Sequence, residues 1–205
     1  DAVEKGLVNL EKHIESVRHF GKEPVVAINQ FGTDTDDELA VIYEFCQRLG
    51  VNVAISDHFA RGGLGAEKLA QAVLEVASAE SKPFTPMYER GDSVVDKIRK
   101  VAQKMYGAND VVLTRPALRD LKLIKRLNLT QLPICIAKTQ SSLSDDPKRP
   151  GRPTDFEVTV RRVRLNAGAG FLVVLTGDIM RMPGLPKVPQ AQDVDYRDGK
   201  IVGVG

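Results

Sequence analysis

Five amphipathic segments, three of which end at a glycine, alternate with short apolar runs over the first 137 residues, and this alternation restricts the possible folds more than any other feature. Apolar residues recur at helical spacing over Val3–Phe20, with Gly21 as the C-cap, and the run Pro24–Ile28 then predicts a buried strand. The same reasoning predicts helices over 35–49, 64–79, 94–106 and 116–128, and strands over 51–55, 110–113 and 132–137. Helices and strands that alternate through short connections predict an α/β fold with a largely parallel sheet covered by helices.

The regular alternation of predicted helices and strands ends after residue 137. The remaining chain holds a long polar loop at 138–154, apolar runs at Phe156–Val163 and Phe171–Thr176, and a Pro/Gly-rich tail that includes Met182–Pro186. Long loops inside compact domains are usually functional or mobile. Two prolines within Pro83–Arg90 indicate a linker. We therefore expect two parts, residues 1–82 and a smaller C-terminal α/β domain over 83–205.

The composition restricts the classes of partner. The 29 basic and 27 acidic side chains give a net charge of +2, which provides no overall field to hold nucleic acid or an anionic membrane. The sequence has no run of about 18 apolar residues, so no membrane-spanning helix is expected. Cys46 and Cys135 lack metal-ligand spacing, which is typical of a reduced, cytoplasmic protein with two buried thiols.

The acidic segment that follows the first predicted strand has the residue types of two kinds of ligand loop. GTPases read guanine with Asn-Lys-x-Asp after a buried strand, but Gln30 replaces the lysine and Gly32 stands in place of the aspartate. A calcium loop needs a glycine at its turn, and the acidic run lacks one. We therefore interpret Asp34 or Thr35 as a helix N-cap, with the acids at 36–38 in the first turn, where the helix dipole favours negative charge.

Two phenylalanines lie just beyond predicted strand ends. Phe31 follows Ile28 by three positions, and Phe59 follows Ile55 by four. In open α/β sheets the ligand crevice lies beyond the carboxyl ends of the strands. If these two strands are neighbours, both rings emerge at one edge and can hold a flat ligand between them. The alternative is that each ring packs on its own helix.

Several other features leave a functional and a structural interpretation open. The glycine-rich turn Arg61–Gly65 precedes a helix, so it is either an anion site beside Arg61 or a tight turn. His58 can donate a hydrogen bond to a ligand, whereas His13 and His19 are predicted to be solvated on the first helix. The sequence contains no Gly-x-x-x-x-Gly-Lys-Ser/Thr loop and no nucleophile or metal spacing. The hydroxyls and acids of loop 138–154 either contact a phosphate or sugar or simply form turns.

Seven blocks of the sequence carry a resemblance to a known family. In chain order they are KGLVNLEKHIE, PVVAINQFGTDTDDEL, DHFARGGLGAEKLAQAV, DKIRKVAQKMYGA, LPICIAKTQSSLSDDP, GRPTDFEVTVRRVRLNAGAGF and MPGLPKVPQA. Together they resemble formate–tetrahydrofolate ligase (formyltetrahydrofolate synthetase) nearly from end to end. Several of the blocks are long and unusual, so chance similarity is improbable.

The resemblance implies an ATP-dependent ligase. In this family formate attacks the γ-phosphate of ATP to give formyl phosphate. An amine of tetrahydrofolate then takes the formyl group, which gives 10-formyltetrahydrofolate, ADP and phosphate. The implied fold is a P-loop-type α/β domain followed by smaller domains, and the implied assembly is a cytoplasmic homotetramer that binds small molecules but neither nucleic acid nor membrane.

The family's phosphate loop, and the Arg and Lys that stabilise the transferring phosphoryl group, lie ahead of the block KGLVNLEKHIE. We therefore expect this chain to be the C-terminal part of such an enzyme, with no catalytic residue, no metal site and no activity alone. ATP with Mg²⁺ is expected to bind mainly to an N-terminal part of the same enzyme.

The resemblance places the folate side of the reaction on this chain. The two aromatic residues that sandwich the folate ring system in the family correspond to Phe31 and Phe59, and Phe59 stands where the common pattern has tryptophan. Phenylalanine keeps a stacking face but has less ring area and no indole N–H donor. The other residues expected around the same slot are Gly32, Ile55, His58 and Arg61.

Two further interpretations stay open from the sequence. A GTPase-like nucleotide-binding module is disfavoured by Gly32 in place of aspartate. A non-catalytic assembly segment, in which the residues after Lys138 make subunit contacts, is compatible with the same blocks.

Overall fold

A computed structural model describes residues 1–177, 187–197 and 199–203, which form a mixed α/β structure. The α-helices are α1 (Ala2–Arg18), α2 (Asp36–Arg48), α3 (His58–Arg61), α4 (Glu67–Ser78), α5 (Val94–Val101) and α6 (Arg115–Arg126). The strands are β1 (Val25–Asn29), β2 (Asn52–Ser56), β3 (Asp110–Leu113), β4 (Ile134–Ala137), β5 (Glu157–Asn166), β6 (Phe171–Thr176), β7 (Asp195–Arg197) and β8 (Lys200–Val202). The predicted turn Met182–Pro186 lies outside the described residues.

The first sheet consists of two parallel strands, β1 and β2, with Ile28 opposite Ile55 and Asn29 opposite Ser56. Helices α2 and α4 pack against β2. Within β1 only Ile28 is buried, so the prediction of a buried first strand is wrong for its other residues. The reason is that α2 and α4 pack mainly against β2 and leave much of the β1 faces uncovered.

The second sheet has the strand order β3-β5-β6-β4. β3 is parallel to β5 and β4 is parallel to β6, whereas β5 and β6 are antiparallel, so this sheet is mixed. The strands before residue 137 all pair in parallel, as predicted, and the antiparallel pair lies beyond them. A short 3₁₀ turn, Ala167–Ala169, joins β5 to β6, and Gly170 follows it in the left-handed region with φ 73°. So short a connection permits only an antiparallel pair, because a parallel crossover needs a dozen or more residues.

One face of the second sheet carries the hydrophobic core. Along β5 the buried side chains are Val158, Val160 and Val163, and helices α5 and α6 cover this face through Ile98 and Ile124. Full burial of a valine or isoleucine side chain contributes roughly 1.5–3 kcal/mol relative to exposure. This shared core therefore holds α5, α6 and the second sheet together.

The two cysteines lie in different environments. Cys46 of α2 is fully buried, and burial raises the pKa of its thiol. Cys135 is exposed, so the prediction of two buried thiols is wrong for this residue. In β4 the side chains of Ile134 and Ile136 pack against the core, and the alternation of a strand places Cys135 on the opposite, open face.

The predicted helix over 94–106 changes its winding before its end. Helix α5 stops at Val101, a π-helical turn follows over Ala102–Tyr106, and Gly107 ends the segment in the left-handed region with φ 80°. This turn places the ring of Tyr106 5.2 Å from Nζ of Lys138, at the start of the long polar loop.

Polar contacts join the first helix to that loop and to the C-terminal part. Arg152 donates hydrogen bonds to Glu11 at 2.9 Å and to Glu15 at 3.0 and 3.1 Å. Lys12 donates to the backbone carbonyl of Lys104 at 3.0 Å. Partial burial raises the pKa of Glu15, but hydrogen bonds from Arg152 and Lys12 outweigh it and lower that pKa. Helix α1 and loop 138–154 are therefore held against each other.

The linker before α5 is anchored along its length. The ring of Phe84 stacks on that of Phe20 with centroids 5.5 Å apart. Further on, the Tyr88 hydroxyl accepts a hydrogen bond from the Ile134 amide at 3.0 Å, and the Tyr88 ring lies 5.8 Å from Nζ of Lys97. The linker thus contacts both the segment directly after α1 and the second sheet.

Helix α2 begins at a capping box. The hydroxyl of Thr35 accepts a hydrogen bond from the Glu38 amide, and the Glu38 carboxylate accepts one from the Thr35 amide at 3.1 Å. These hydrogen bonds from the backbone and hydroxyl of Thr35 lower the pKa of Glu38. Of the two N-cap candidates, Thr35 is therefore the cap, and the Asp34 carboxylate instead accepts a hydrogen bond from the Phe31 amide.

Replacing Thr35 with alanine is expected to lower the free energy of unfolding by about 1 kcal/mol, because the side-chain acceptor for the first turn is lost. Thr35→Ser keeps that acceptor and is the matched control. Urea unfolding followed by circular dichroism measures the difference. Equal stability of the alanine and serine variants would contradict the capping role.

Candidate functional site

Two exposed phenylalanine rings face each other at the carboxyl edge of the first sheet. Phe31 follows β1, and Phe59 lies in α3, the short helix after β2. Because β1 and β2 are parallel neighbours, their carboxyl ends bring both residues to one place. The ring centroids lie 6.3 Å apart, with 46° between the ring planes. Phe31 is 55% exposed and Phe59 is 83% exposed, so neither ring packs into the core on its own helix.

The backbone of Phe31 is fixed by the residue that was a candidate N-cap. The Phe31 amide donates to the Asp34 carboxylate at 2.8 Å, and the Asp34 amide donates to the Phe31 carbonyl at 3.0 Å. Gly32 lies inside this turn, and no heavy atom comes within 4 Å of the position that a Cβ would take. The turn therefore holds the Phe31 backbone while leaving open space beside the ring.

Ser56, the last residue of β2, contacts both ring-bearing segments. Its backbone carbonyl accepts a hydrogen bond from the Gln30 amide at 2.9 Å. Its hydroxyl lies 3.0 Å from Nδ1 of His58. Sequence reasoning did not select Ser56, and it considered Asp34 only as a helix cap. The signal for Ser56 is a polar side chain at a strand end, and that for Asp34 is an aspartate three residues after the aromatic.

The glycine-rich turn after α3 is built on close backbone approach. A 3₁₀ turn covers Gly62–Ala66, and the Gly65 carbonyl accepts a hydrogen bond from the Asp57 amide at 3.2 Å. A Cβ on Gly65 would lie 2.6 Å from the carbonyl carbon of Asp57. The tight-turn interpretation of this segment is therefore correct, and the turn fixes where α3 begins.

The other predicted slot residues are spread around the ring pair. His58 and Arg61 flank Phe59 on α3, and both are exposed. The Arg61 guanidinium lies 3.7 Å from the Asp57 carboxylate. Ile55 is half-buried and points to the opposite face of β2 from Ser56, because side chains alternate along a strand. His13 on α1 and His19, the C-cap of α1, are exposed, as predicted.

The long polar loop satisfies its own polar groups. Lys138 donates to the backbone carbonyls of Thr139, Ser142 and Ser144, and burial lowers the pKa of its ammonium group, partly opposed by Asp145. The Ser142 and Ser144 side chains are buried and lie within hydrogen-bond distance of each other at 2.9 Å. Among the two interpretations of the loop, these internal contacts favour turn formation for the residues around Lys138.

The described residues contain no cluster of metal-ligating side chains. Within residues 1–177, 187–197 and 199–203, no group of three or more His, Cys, Asp or Glu side chains is arranged to hold a metal ion. In the same ranges, no helix has the length and apolar character needed to cross a membrane.

The ring pair has the properties of a platform for a flat ligand. Large apolar side chains that remain exposed next to each other commonly mark a binding site. Aromatic rings attract other π-systems in offset or tilted arrangements with centroids about 4.5–7 Å apart. The chemistry that this edge can supply is stacking, together with hydrogen bonding from His58 and charge from Arg61.

Comparison with known families agrees with the seven sequence blocks. The family model described as formate–tetrahydrofolate ligase matches residues 1–205. Enzymes of that description are ligases of one-carbon metabolism, and the family implies tetrahydrofolate, formate and ATP with Mg²⁺ as the reacting molecules. Since the match covers every residue of the chain, this protein belongs to the formate–tetrahydrofolate ligase family.

Proposed function

We propose that this chain supplies the folate-binding side of a formate–tetrahydrofolate ligase, with Phe31 and Phe59 stacked on the two faces of the tetrahydrofolate ring system. The observation that carries this proposal is the pair of exposed rings at one sheet edge, 6.3 Å apart. Stacking on each ring contributes about 1–3 kcal/mol, by analogy with nucleic-acid bases on aromatic side chains.

The two rings lie at about the distance that a sandwich requires, but they are not yet parallel. A flat ligand between two rings needs about 7 Å between their planes, which is twice the optimal separation of roughly 3.5 Å between carbon atoms. Phe31 and Phe59 are 6.3 Å apart and tilted by 46°, so they contact each other rather than leave an open slot. Entry of the ligand requires the two rings to become parallel and to move slightly apart. Exposed side chains rotate within picoseconds to nanoseconds, so this opening is fast.

The neighbouring residues complete the slot in this proposal. Gly32 lets a ligand approach the backbone, because no heavy atom occupies the space a Cβ would fill, and Ile55 lines the same slot. His58 offers a ring nitrogen as a hydrogen-bonding group. The Arg61 side chain, 62% exposed, attracts the carboxylates of the glutamate tail of tetrahydrofolate.

The steps of the reaction divide between this chain and another part of the enzyme. Formyl phosphate forms from formate and ATP elsewhere, and this chain presents the amine of tetrahydrofolate that receives the formyl group. No group of three or more His, Cys, Asp or Glu side chains is gathered around a metal position in the described ranges, and the sequence has no phosphate loop. We therefore assign ATP and Mg²⁺ to an N-terminal part of the enzyme, and the 205-residue chain alone is expected not to transfer phosphate from ATP.

The open first sheet supports this division. Parallel strands normally lie inside larger sheets that helices cover on both faces, and an isolated two-stranded sheet is marginally stable in water. β1 and β2 have no further neighbour among the described residues. Strands from an N-terminal part would extend this pair into the P-loop-type sheet that the family resemblance implies.

The charge distribution supports a boundary near residue 82. Residues 1–82 contain 14 acidic and 8 basic side chains, whereas residues 83–205 contain 13 acidic and 21 basic ones. The near-neutral total therefore conceals an acidic first part, which holds the slot, and a basic second part. We also propose that the enzyme is a cytoplasmic homotetramer, as the family resemblance implies.

Phe31→Ala in the complete enzyme is expected to raise KM for tetrahydrofolate about 5- to 150-fold, which corresponds to about 1–3 kcal/mol of lost stacking. KM for ATP and KM for formate should keep their wild-type values, because those molecules bind elsewhere in this proposal. Steady-state kinetics with each substrate varied in turn measures the three constants.

The matched control for this variant is Phe84→Ala. Phe84 is also exposed and also contacts another ring, but it lies in the linker. It is expected to leave KM for tetrahydrofolate unchanged. An unchanged KM in Phe31→Ala would overturn the proposed slot. In the opposite direction, Phe59→Trp adds ring area and an indole N–H donor and is expected to lower KM.

A further inference from the structure

We propose that Ser56 is a positioning residue that sets the placement of both phenylalanines in the slot. This inference rests on the proposed function and adds to it a residue that touches neither ring face in the sandwich. Ser56 is 1% exposed, although serine is found mostly at protein surfaces. It lies at the end of β2, between the two segments that carry the rings.

The backbone of Ser56 holds the Phe31 side. Its carbonyl accepts a hydrogen bond from Gln30, the residue directly before Phe31, at 2.9 Å. Ser56 also forms the last register pair of the sheet, opposite Asn29. The two strands are therefore joined up to the position next to the first ring, so the Phe31 turn cannot move away from β2 without breaking this hydrogen bond.

The side chain of Ser56 holds the Phe59 side. Its hydroxyl lies 3.0 Å from Nδ1 of His58, the residue directly before Phe59. Helix α3 has only four residues, and Asp57 at its N-cap makes no side-chain capping hydrogen bond. A single helical turn is not stable by itself. The Ser56–His58 hydrogen bond therefore provides a side-chain anchor at the start of this helix, in addition to the backbone hydrogen bond from Asp57 to Gly65.

This contact also leaves one ring nitrogen of His58 for a ligand. A hydrogen bond at one imidazole nitrogen sets the role of the other. Nδ1 of His58 is engaged by Ser56, and Nε2 has no hydrogen-bond partner in the described part of the chain. By holding His58, the buried Ser56 thus orients two groups: Nε2 of His58 and the ring of the next residue, Phe59.

The test is a double-mutant cycle in the complete enzyme. Ser56→Ala removes the hydroxyl and keeps the carbonyl, and it is expected to raise KM for tetrahydrofolate about 3- to 10-fold. His58→Ala is expected to raise KM at least as much. If Ser56 acts through His58, the variant carrying both substitutions has the same KM as His58→Ala alone.

A purely structural role would give a different result. It would lower the melting temperature and change the kinetic constants for tetrahydrofolate, ATP and formate together. The positioning role predicts a change in KM for tetrahydrofolate alone, with kcat at saturating substrate kept. Because His58 is exposed, His58→Ala probes the contact even where a change at the buried Ser56 disturbs folding.

The outcomes separate this inference from the proposed function. Additive effects of the two substitutions, or an unchanged KM in both single variants, overturn the positioning role. If Phe31→Ala raises KM and the Ser56 and His58 variants do not, the slot stands and only the role of Ser56 fails. If Phe31→Ala has no effect either, the slot itself is wrong.

Discussion

Gly65→Ala is expected to raise KM for tetrahydrofolate about 5- to 150-fold in the complete enzyme, the loss that corresponds to one stacked ring. A Cβ at Gly65 would lie 2.5 Å from a carboxylate oxygen of Asp57. It would also lie 2.6 Å from the backbone carbonyl carbon of Asp57 and 2.7 Å from the backbone carbonyl oxygen. Two of these three atoms belong to the backbone, so Asp57 must move, and the start of the helix that carries Phe59 moves with it. Overpacking of this kind typically costs about 1–3 kcal/mol, so the free energy of unfolding should fall as well.

The matched control is Gly63→Ala, in the same turn. No heavy atom lies within 4 Å of a Cβ at Gly63, so this substitution should keep both the wild-type KM and the wild-type melting temperature. Steady-state kinetics and thermal unfolding of the two variants give the comparison. A wild-type KM in a folded Gly65→Ala enzyme would show that this turn does not set the position of Phe59.

Lys97→Ala is expected to lower the free energy of unfolding by about 2–5 kcal/mol, the range for removing a large buried side chain. Lys97 is fully buried and donates to the backbone carbonyls of Thr130 and Leu132 at 3.0 and 3.1 Å. Alanine leaves a cavity and deprives both carbonyls of their donor. Unfolding in urea measures the loss, with the exposed Lys122→Met of α6 as a control that should stay within about 0.5 kcal/mol.

The buried ammonium of Lys97 also makes stability depend on pH. Burial lowers its pKa, a shift that the nearby Asp92 partly opposes. The unfolded chain therefore holds this proton more tightly than the folded chain. The Lys97 contribution to the unfolding free energy rises with pH between the folded pKa and the ordinary lysine pKa. Lys97→Met keeps most of the side-chain volume and should remove this pH dependence of stability. An unchanged free energy of unfolding in Lys97→Ala would contradict the role of the hydrogen bonds from Lys97 to Thr130 and Leu132.

The position of the ring pair could be predicted from the sequence because it depends on few facts. Strands that end at Ile28 and Ile55 need only be parallel neighbours for Phe31 and Phe59 to emerge at the same edge, and they are. The hydrogen bonds of Ser56 could not be predicted. They depend on the register of β2 and on the direction of a one-turn helix, neither of which a local pattern specifies.

The mixed second sheet shows a different limit. Strand β5 alternates buried valines with more exposed polar residues at 157–161, and after an irregularity between Val160 and Arg162 it buries Val163 on the same side, which is typical of a sheet with one open face. The helix–strand alternation before residue 137 led to the prediction of parallel pairing, but strand order depends on contacts between distant segments. The exposure of Cys135 has the same origin, since burial of a strand residue depends on whether its face is covered.

The contact between Phe31 and Phe59 also affects the heat capacity of ligand binding. Rings 6.3 Å apart already shield part of each other's inner faces from water. The heat-capacity change on binding follows the apolar area that is newly removed from water. If tetrahydrofolate replaces this ring–ring contact, it removes less new area than two fully hydrated rings would lose. Its binding should therefore have a modest negative heat-capacity change and derive more of its free energy from the enthalpy of stacking.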